Sequence, residues 1–290
     1  GCHVSTVYRE LRRNACKDGH YSPALAHEKA LERRERIVTN SALKPGVLER
    51  ALKLLRDEQW SPRQISGKLA LDGIRISHER IYQEIRADKT GELASHTRHG
   101  MKHRKRGVAG KGGVKNIPNR VSIHDRPPEA DGKRFGDWEM DLIVDPQQNA
   151  ILTMTERSTN FILMKRLPQG KKAEPLAKEA VSMLRPWRDG VLTITTDNGG
   201  EFACHEMIVP GLRRKGVSDI AVFFADPYAS WQKGAIENAN GLIRQYIPKG
   251  VSFNNFSDEM IKEIQMKLNR RPRVKLNFAT PISVFNNFFH

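Results

Sequence analysis

The spacing of hydrophobic positions changes character near residue 135. Before that point it is helical. Val7, Tyr8 and Leu11 predict the inward face of a short helix over residues 6–13, with Ser5 as its cap and Arg9, Arg12 and Arg13 outward. Residues 23–36, rich in Ala, Glu, Lys and Arg, predict a second helix. Leu48, Leu52 and Leu55 then mark an amphipathic helix. Ser61-Pro62 opens another, with Ser61 and Gln64 spaced as a capping box, and Gly73 closes that region. Ser77 caps a further helix with Ile81, Tyr82 and Ile85 inside and His78, Arg80, Gln83 and Arg86 outside. Helix, glycine-containing turn and helix form the helix-turn-helix plan, whose second helix lies in a DNA major groove. A small bundle with a solvated surface is the plain alternative. Two basic patterns in succession favour DNA.

From residue 135 the period becomes two. Trp138, Met140, Leu142 and Val144 fall on one side, and Asp137, Glu139, Asp141, Ile143 and Asp145 on the other. This predicts a strand with a carboxylate-rich face. Residues 150–155 and 161–166 predict strands hairpinned with it, and 173–187 a helix. A β-branched strand over 191–196 runs into Asp197, and a helix is expected from about residue 201. Residues 220–224 predict a fifth strand, and 234–246 and 258–268 the last helices. Three strands followed by alternating helix and strand predict an α/β fold. It has a mixed sheet with flanking helices, preceded by an all-α region. The expected divisions are 1–40 and 41–92 (helix-turn-helix regions), 93–134 (linker) and 135–290 (core).

Charge sharpens this division. The chain of 290 residues carries 49 Lys and Arg against 33 Asp and Glu, a net charge of +16. Nearly all the excess precedes residue 135, as expected for a polyanion-gripping half joined to a different machine. Residues 93–124 contain eight Lys and Arg, among them Arg98, Lys102, Arg104, Lys105 and Arg106, with no acid and several glycines. That segment reads as a basic linker seeking phosphates. His96, His99 and His103 have no Cys or acid beside them within residues 93–124 and read as part of the same arm rather than as metal ligands. At 38% apolar residues the chain can build a core, and no run of about 18 apolar residues points to a membrane. Three scattered cysteines fit a reducing cytoplasm better than a disulfide framework. The chain opens at Gly1 inside what reads as a folded motif, as expected of a fragment.

Acids at strand ends and helix faces of such a sheet can converge on its carboxyl edge. Asp141, Asp197 and Glu237 are the candidate set. Three convergent carboxylates suit Mg²⁺ or Mn²⁺, and two such ions, roughly 3.5–4 Å apart, serve phosphodiester chemistry. Lys233, Glu237 and Arg244 fall on one helical face, placing cations for phosphate beside the acid. Spacing alone does not separate this set from Glu139, Asp145, Glu201 and Asp226.

Motifs make the choice. GDWEMDLIV, TTDNGGEF and ADPYASWQKGAIENANGLIRQYIPKG resemble, in this order, the catalytic blocks of the IS-thirty family of bacterial insertion-sequence transposases. WSPRQISGKL, ISHERIYQEI, NRVSIHDRP, LNRRPR and TPISVF are similar to further blocks of that family. The resemblance implies a ribonuclease-H-like, retroviral-integrase-type core with Asp141, Asp197 and Glu237 as a catalytic, metal-binding triad. It implies cleavage and 3′-end strand transfer of double-stranded DNA, with no organic cofactor and no covalent protein intermediate. Synapsis of two element ends implies a homo-oligomer on DNA, in the bacterial cytoplasm near the nucleoid. The sequence departs from the family where His usually precedes the first block's Trp (here Asp137) and where Asn usually precedes the Glu (here Ile236). The 39 residues between Asp197 and Glu237 also exceed the usual gap, with the extra length expected around residues 211–219. A DNA-binding regulator with an inactive core and a nuclease or junction resolvase on the same core are the alternatives.

Overall fold

Two compact units, Gly1–Glu49 and Arg50–His290, divide the chain. The structure, a computed structural model, describes residues 2–16, 18–40, 43–98, 100–101, 117–213 and 220–289, with backbone only for 34–40.

In the first unit, α1 (Val4–Asn14) is fastened to α2 (Pro23–Asn40) by polar contacts. Arg33 donates to Asn14 Oδ1 at 2.9 Å, and Lys29 donates to the Ala15 carbonyl at 3.1 Å. The cap of α1 is His3, whose ring accepts from the Ser5 amide, so Ser5 lies inside the helix rather than at its start. Val7, Tyr8 and Leu11 are exposed, contrary to the expectation from their spacing. The one buried residue of α1 is Asn14, so the contact with α2 is made by hydrogen bonds and leaves the apolar stripe open.

The second unit begins with helices whose ends were legible locally. α3 (Val47–Asp57) straddles the unit boundary and buries Ala51 and Leu55. Ser61 and Gln64 form both bonds of the capping box at the start of α4 (Pro62–Leu71). Gly73, at φ 74°, turns the chain in the left-handed region that glycine adopts without strain. Ser77 caps α5 (His78–Ala87), which buries Ile81 and Ile85. α6 (Glu92–Ser95) is a single turn.

β1 (Asp137–Val144), β2 (Ala150–Glu156) and β3 (Ile162–Leu167) form an antiparallel meander. β4 (Thr193–Thr196) pairs parallel to β1, and β5 (Ala221–Phe224) parallel to β4, giving the order β3-β2-β1-β4-β5. Parallel neighbours need a crossover, which α7 (Ala173–Leu184) supplies between β3 and β4. Trp138 and Met140 join Leu176, Ala180 and Leu184 of α7 in one core layer. Ile143 and Ile151 face the opposite layer, built by α9 (Gly234–Ile243) and α10 (Asp258–Arg270). α11 (Pro281–Asn286) closes the first layer with Phe285, stacked on Phe161 at 3.9 Å between ring centroids.

The helix expected from residue 201 is instead two 3₁₀ turns, Gly200–Phe202 and His205–Met207, before the short α8 (Ile208–Leu212). Phe202 and His205, one from each turn, are both buried. α9 ends earlier than expected because bonds from Gln245 to Leu242 and from Tyr246 to Ile243 tighten its last turn. Among the described residues no helix is long and apolar enough to cross a membrane.

Candidate active site

Strand register brings the first two acids together. β1 and β4 run parallel with Asp137 opposite Thr193, Trp138 opposite Ile194 and Glu139 opposite Thr195. Continuing that offset sets Asp141 level with Asp197, the residue after β4 ends. Asp197 is fixed by its own turn, where Oδ1 accepts the Gly199 amide at 2.9 Å.

One cation serves both carboxylates. Lys233 Nζ lies 3.6 Å from Asp141 Oδ1 and 3.2 Å from Asp197 Oδ2. Lys233 is 6% exposed and ends the turn Ser230–Lys233 that leads into α9. Burial opposes its charge, but Asp141, Asp197 and Glu139 outweigh it and raise the ammonium above its ordinary range. Burial likewise pushes the Asp141 carboxyl up, with Lys233 pulling down and Asp197 adding to the rise. The other Asp141 oxygen, Oδ2, accepts from Asn240 Nδ2 at 2.8 Å. Asn240 Oδ1 in turn lies 2.9 Å from the Thr153 hydroxyl, which also reaches the Asp141 carbonyl at 3.1 Å.

The third acid is placed by a fourth. Glu139 is 1% exposed, accepts the Ile236 amide at 2.8 Å and pairs with Arg157 at 2.9 Å. It thereby answers an unpaired amide in the first turn of α9 and pins that helix against β1. Burial raises its carboxyl, and these partners only partly offset the rise. Glu237, one residue past the pinned amide, is exposed on α9. It lines a cavity of about 750 Å³ together with Asp141, Asn240, Gly241, Arg244, Lys249 and Arg98.

Two of the remaining acids, Asp145 and Asp226, have structural partners. Asp145 accepts from Asn149 and from the Phe253 amide, and Asp226 from Gln232, with His124 Nε2 2.8 Å away. Glu201 folds over Gly199. The NRVSIHDRP block ties the loops after β4 and β5: Val121 accepts the Phe224 amide, and Arg120 donates to Asn198.

Thus Asp141 and Asp197 meet on Lys233, and Asp141 and Glu237 share a cavity. Among the described residues no three acids, histidines or cysteines lie close enough to form a ready metal cage. Arg244 and Arg98 face the cavity, whereas the ammonium of Lys233 is committed to the aspartates. Arg9, Arg12 and Arg13 on α1, and His78, Arg80, Gln83 and Arg86 on α5, are exposed. Lys102, Arg104, Lys105, Arg106 and His103, His99 and residues 214–219 of the longer gap lie outside the described residues. The roles of Asn240 and Glu139 are not visible in the sequence, because they exist only once α9 is docked against β1.

The chain is 43% identical to the transposase for insertion sequence element IS4351 of Bacteroides fragilis, over 100% of this chain and 88% of the relative. The chain belongs to the IS-thirty family of insertion-sequence transposases. The transposase for IS1086 of Cupriavidus metallidurans is 35% identical, over 97% of this chain and 84% of its own length. Transposase InsI for IS30A of Escherichia coli K12 is 31% identical, over 96% and 74%. No family model matches the chain. Two departures from the usual transposase blocks are absorbed by the fold. Asp137 is fully buried, pairs with Arg134 at 2.7 Å and accepts from Thr193 at 2.7 Å. Ile236 fills the apolar layer beneath α9.

Proposed function

We propose that this transposase cleaves double-stranded DNA at the ends of its insertion sequence and joins the freed 3′ ends to target DNA, with Asp141, Asp197 and Glu237 as its catalytic, metal-binding set. The single observation that carries the reading is the Lys233 ammonium shared by Asp141 and Asp197 beside the cavity that Asp141 and Glu237 line. Two carboxylates already arranged around one cation are the donor set that a hard divalent ion requires. Asp141, Asp197 and Glu237 would hold Mg²⁺ or Mn²⁺, two ions in all, which would supply activation of the attacking oxygen and stabilisation of the leaving one. Asn240 would hold Asp141 in its ligating orientation. Arg244, Lys249 and Arg98 line the same cavity and would neutralise the bound phosphodiester. No side chain need attack the DNA, because water and then the 3′-hydroxyl are the nucleophiles.

The sheet order β3-β2-β1-β4-β5 supports a ribonuclease-H-like core over residues 135–290, and the capped pair α4–α5 supports a helix-turn-helix region over 41–92. In that reading α5 enters the major groove with His78, Arg80, Gln83 and Arg86. Residues 1–40 form a further DNA-binding region through Arg9, Arg12 and Arg13. Residues 93–134 form the basic linker. The enzyme works as a homo-oligomer on DNA in the bacterial cytoplasm, since two element ends must be held together.

The test is incubation with element-end DNA and Mg²⁺, comparing the wild type with Asp197→Ala. Nicking and end joining by the wild type alone are expected. Equal cleavage by both overturns the assignment. Specific binding without nicking points to a regulator, and cleavage without joining to a nuclease.

A further inference from the structure

Lys233 stands where the proposed function needs a divalent cation. Its ammonium approaches both aspartates, 3.2 Å from Asp197 and 3.6 Å from Asp141, from a side chain that is 6% exposed. An ammonium there neutralises two neighbouring like charges that would otherwise repel each other. A second cation cannot take the same oxygens while the first remains.

We propose that Lys233 is a resident counter-cation that keeps Asp141 and Asp197 paired while no divalent metal is bound, and that metal binding must expel its ammonium. This rests on the reading of Asp141, Asp197 and Glu237 as metal ligands. Lys233 is then a positioning residue with two opposed effects. It holds the site together in the metal-free protein, and it weakens metal binding, because only molecules with the ammonium displaced are competent. Lys233 ends the short turn Ser230–Lys233, three residues before the Glu139 anchor at Ile236.

The experiment is a Mn²⁺ titration of the full chain, read by the electron paramagnetic resonance of free Mn²⁺. It compares wild type, Lys233→Gln, Lys233→Arg and Asp141→Asn. Lys233→Gln is expected to bind Mn²⁺ about tenfold more tightly, Lys233→Arg like the wild type, and Asp141→Asn far more weakly. Affinity for Lys233→Gln equal to or weaker than wild type, with Asp141→Asn impaired, overturns the counter-cation while leaving the metal ligands in place. Undiminished binding by Asp141→Asn overturns the metal-ligand reading and the proposal with it. Should Lys233→Gln fail to fold, labelling of the wild type with an amine-reactive reagent decides. Reactivity at Lys233, followed by peptide mass spectrometry, is expected to rise several-fold when Mn²⁺ is added. Unchanged reactivity at saturating Mn²⁺ overturns the proposal.

Discussion

Asn240 donates from Nδ2 to Asp141 Oδ2 across 2.8 Å, linking α9 to β1 inside the candidate site. The carboxylate can only accept, so it sets Nδ2 toward Asp141 and leaves Oδ1 to the Thr153 hydroxyl. Asn240→Ala frees Asp141 to rotate and should lower strand cleavage by about 10–100-fold, the usual cost of losing a residue that orients a metal ligand. Asn240→Asp places a second carboxylate against Asp141 and should be worse. Thr153→Val should give a milder defect of the same kind. Single-turnover cleavage at several Mg²⁺ concentrations checks this: extra Mg²⁺ should partly rescue Asn240→Ala, and a rate identical to wild type contradicts it.

Arg98 comes from the segment after α6 yet lies over Gly241 of α9. A Cβ at Gly241 would collide with Arg98 Nη2, so Gly241→Ala must push that guanidinium aside. The end of a flexible side chain moves easily, and Ala in a helix is favoured over Gly by about 0.5–1 kcal/mol, so the fold should not suffer. Binding of element-end DNA should weaken about three- to tenfold while Mn²⁺ affinity stays unchanged. A loss of Mn²⁺ affinity of the same size would show that the change acts through the acids instead.

Local chemistry was legible in the sequence, and long-range docking was not. The Ser61 capping box and the Ser77 cap depend on residues three apart, so their spacing sufficed. The period of β1 showed which side chains enter the Trp138 layer, but not that the opposite side is roofed by α9 and α10. Of the carboxylates on that side, Asp137 and Glu139 are therefore buried in ion pairs, and Asp141 alone among these three opens on the cavity. The pairing of Asp141 with Asp197 depends on a parallel register, which no local pattern encodes. Lys233 looked like a phosphate ligand from its place beside Glu237, because its commitment to two aspartates exists only after β1, β4 and α9 have met. The packing role of Phe285, the last residue of TPISVF, escaped for the same reason: its partners Phe161 and Trp187 lie far back in the chain.

The proposed DNA contacts of the basic segment and of α5 should separate by their salt dependence. Replacing Lys102, Arg104, Lys105 and Arg106 with Gln should weaken binding to all duplexes alike. The slope of log K against log salt should flatten by about 0.9 for each phosphate that is no longer neutralised. Gln83→Ala on α5 should instead lower the preference for element ends over random duplex, with little change in slope, as expected of a base-reading side chain. Fluorescence anisotropy with specific and random duplexes across a salt series measures both. A common effect on slope and preference for the two variants would merge the surfaces into one.

Acid stability should depend on Asp145, at the turn between β1 and β2. Its Oδ2 accepts the Phe253 amide and the Asn149 side chain, each at 2.8 Å, and its Oδ1 accepts the Asn149 amide at 2.8 Å. Burial opposes the charge, but the Asn149 and Phe253 donors outweigh it and hold the carboxyl below its usual value of 3.8. A carboxyl depressed in the folded state binds fewer protons there than in the unfolded chain. Its contribution is therefore complete above the unfolded value and drains away as pH falls through the lower folded one. Asp145→Asn replaces one acceptor with a donor that must face either the Phe253 or the Asn149 amide, and should cost about 1–3 kcal/mol at neutral pH. Melting temperatures followed from pH 6 downward should fall less steeply for this variant than for the wild type below about pH 4. Parallel curves would mean that the carboxylate does not stabilise the junction of β1 with the segment before α10.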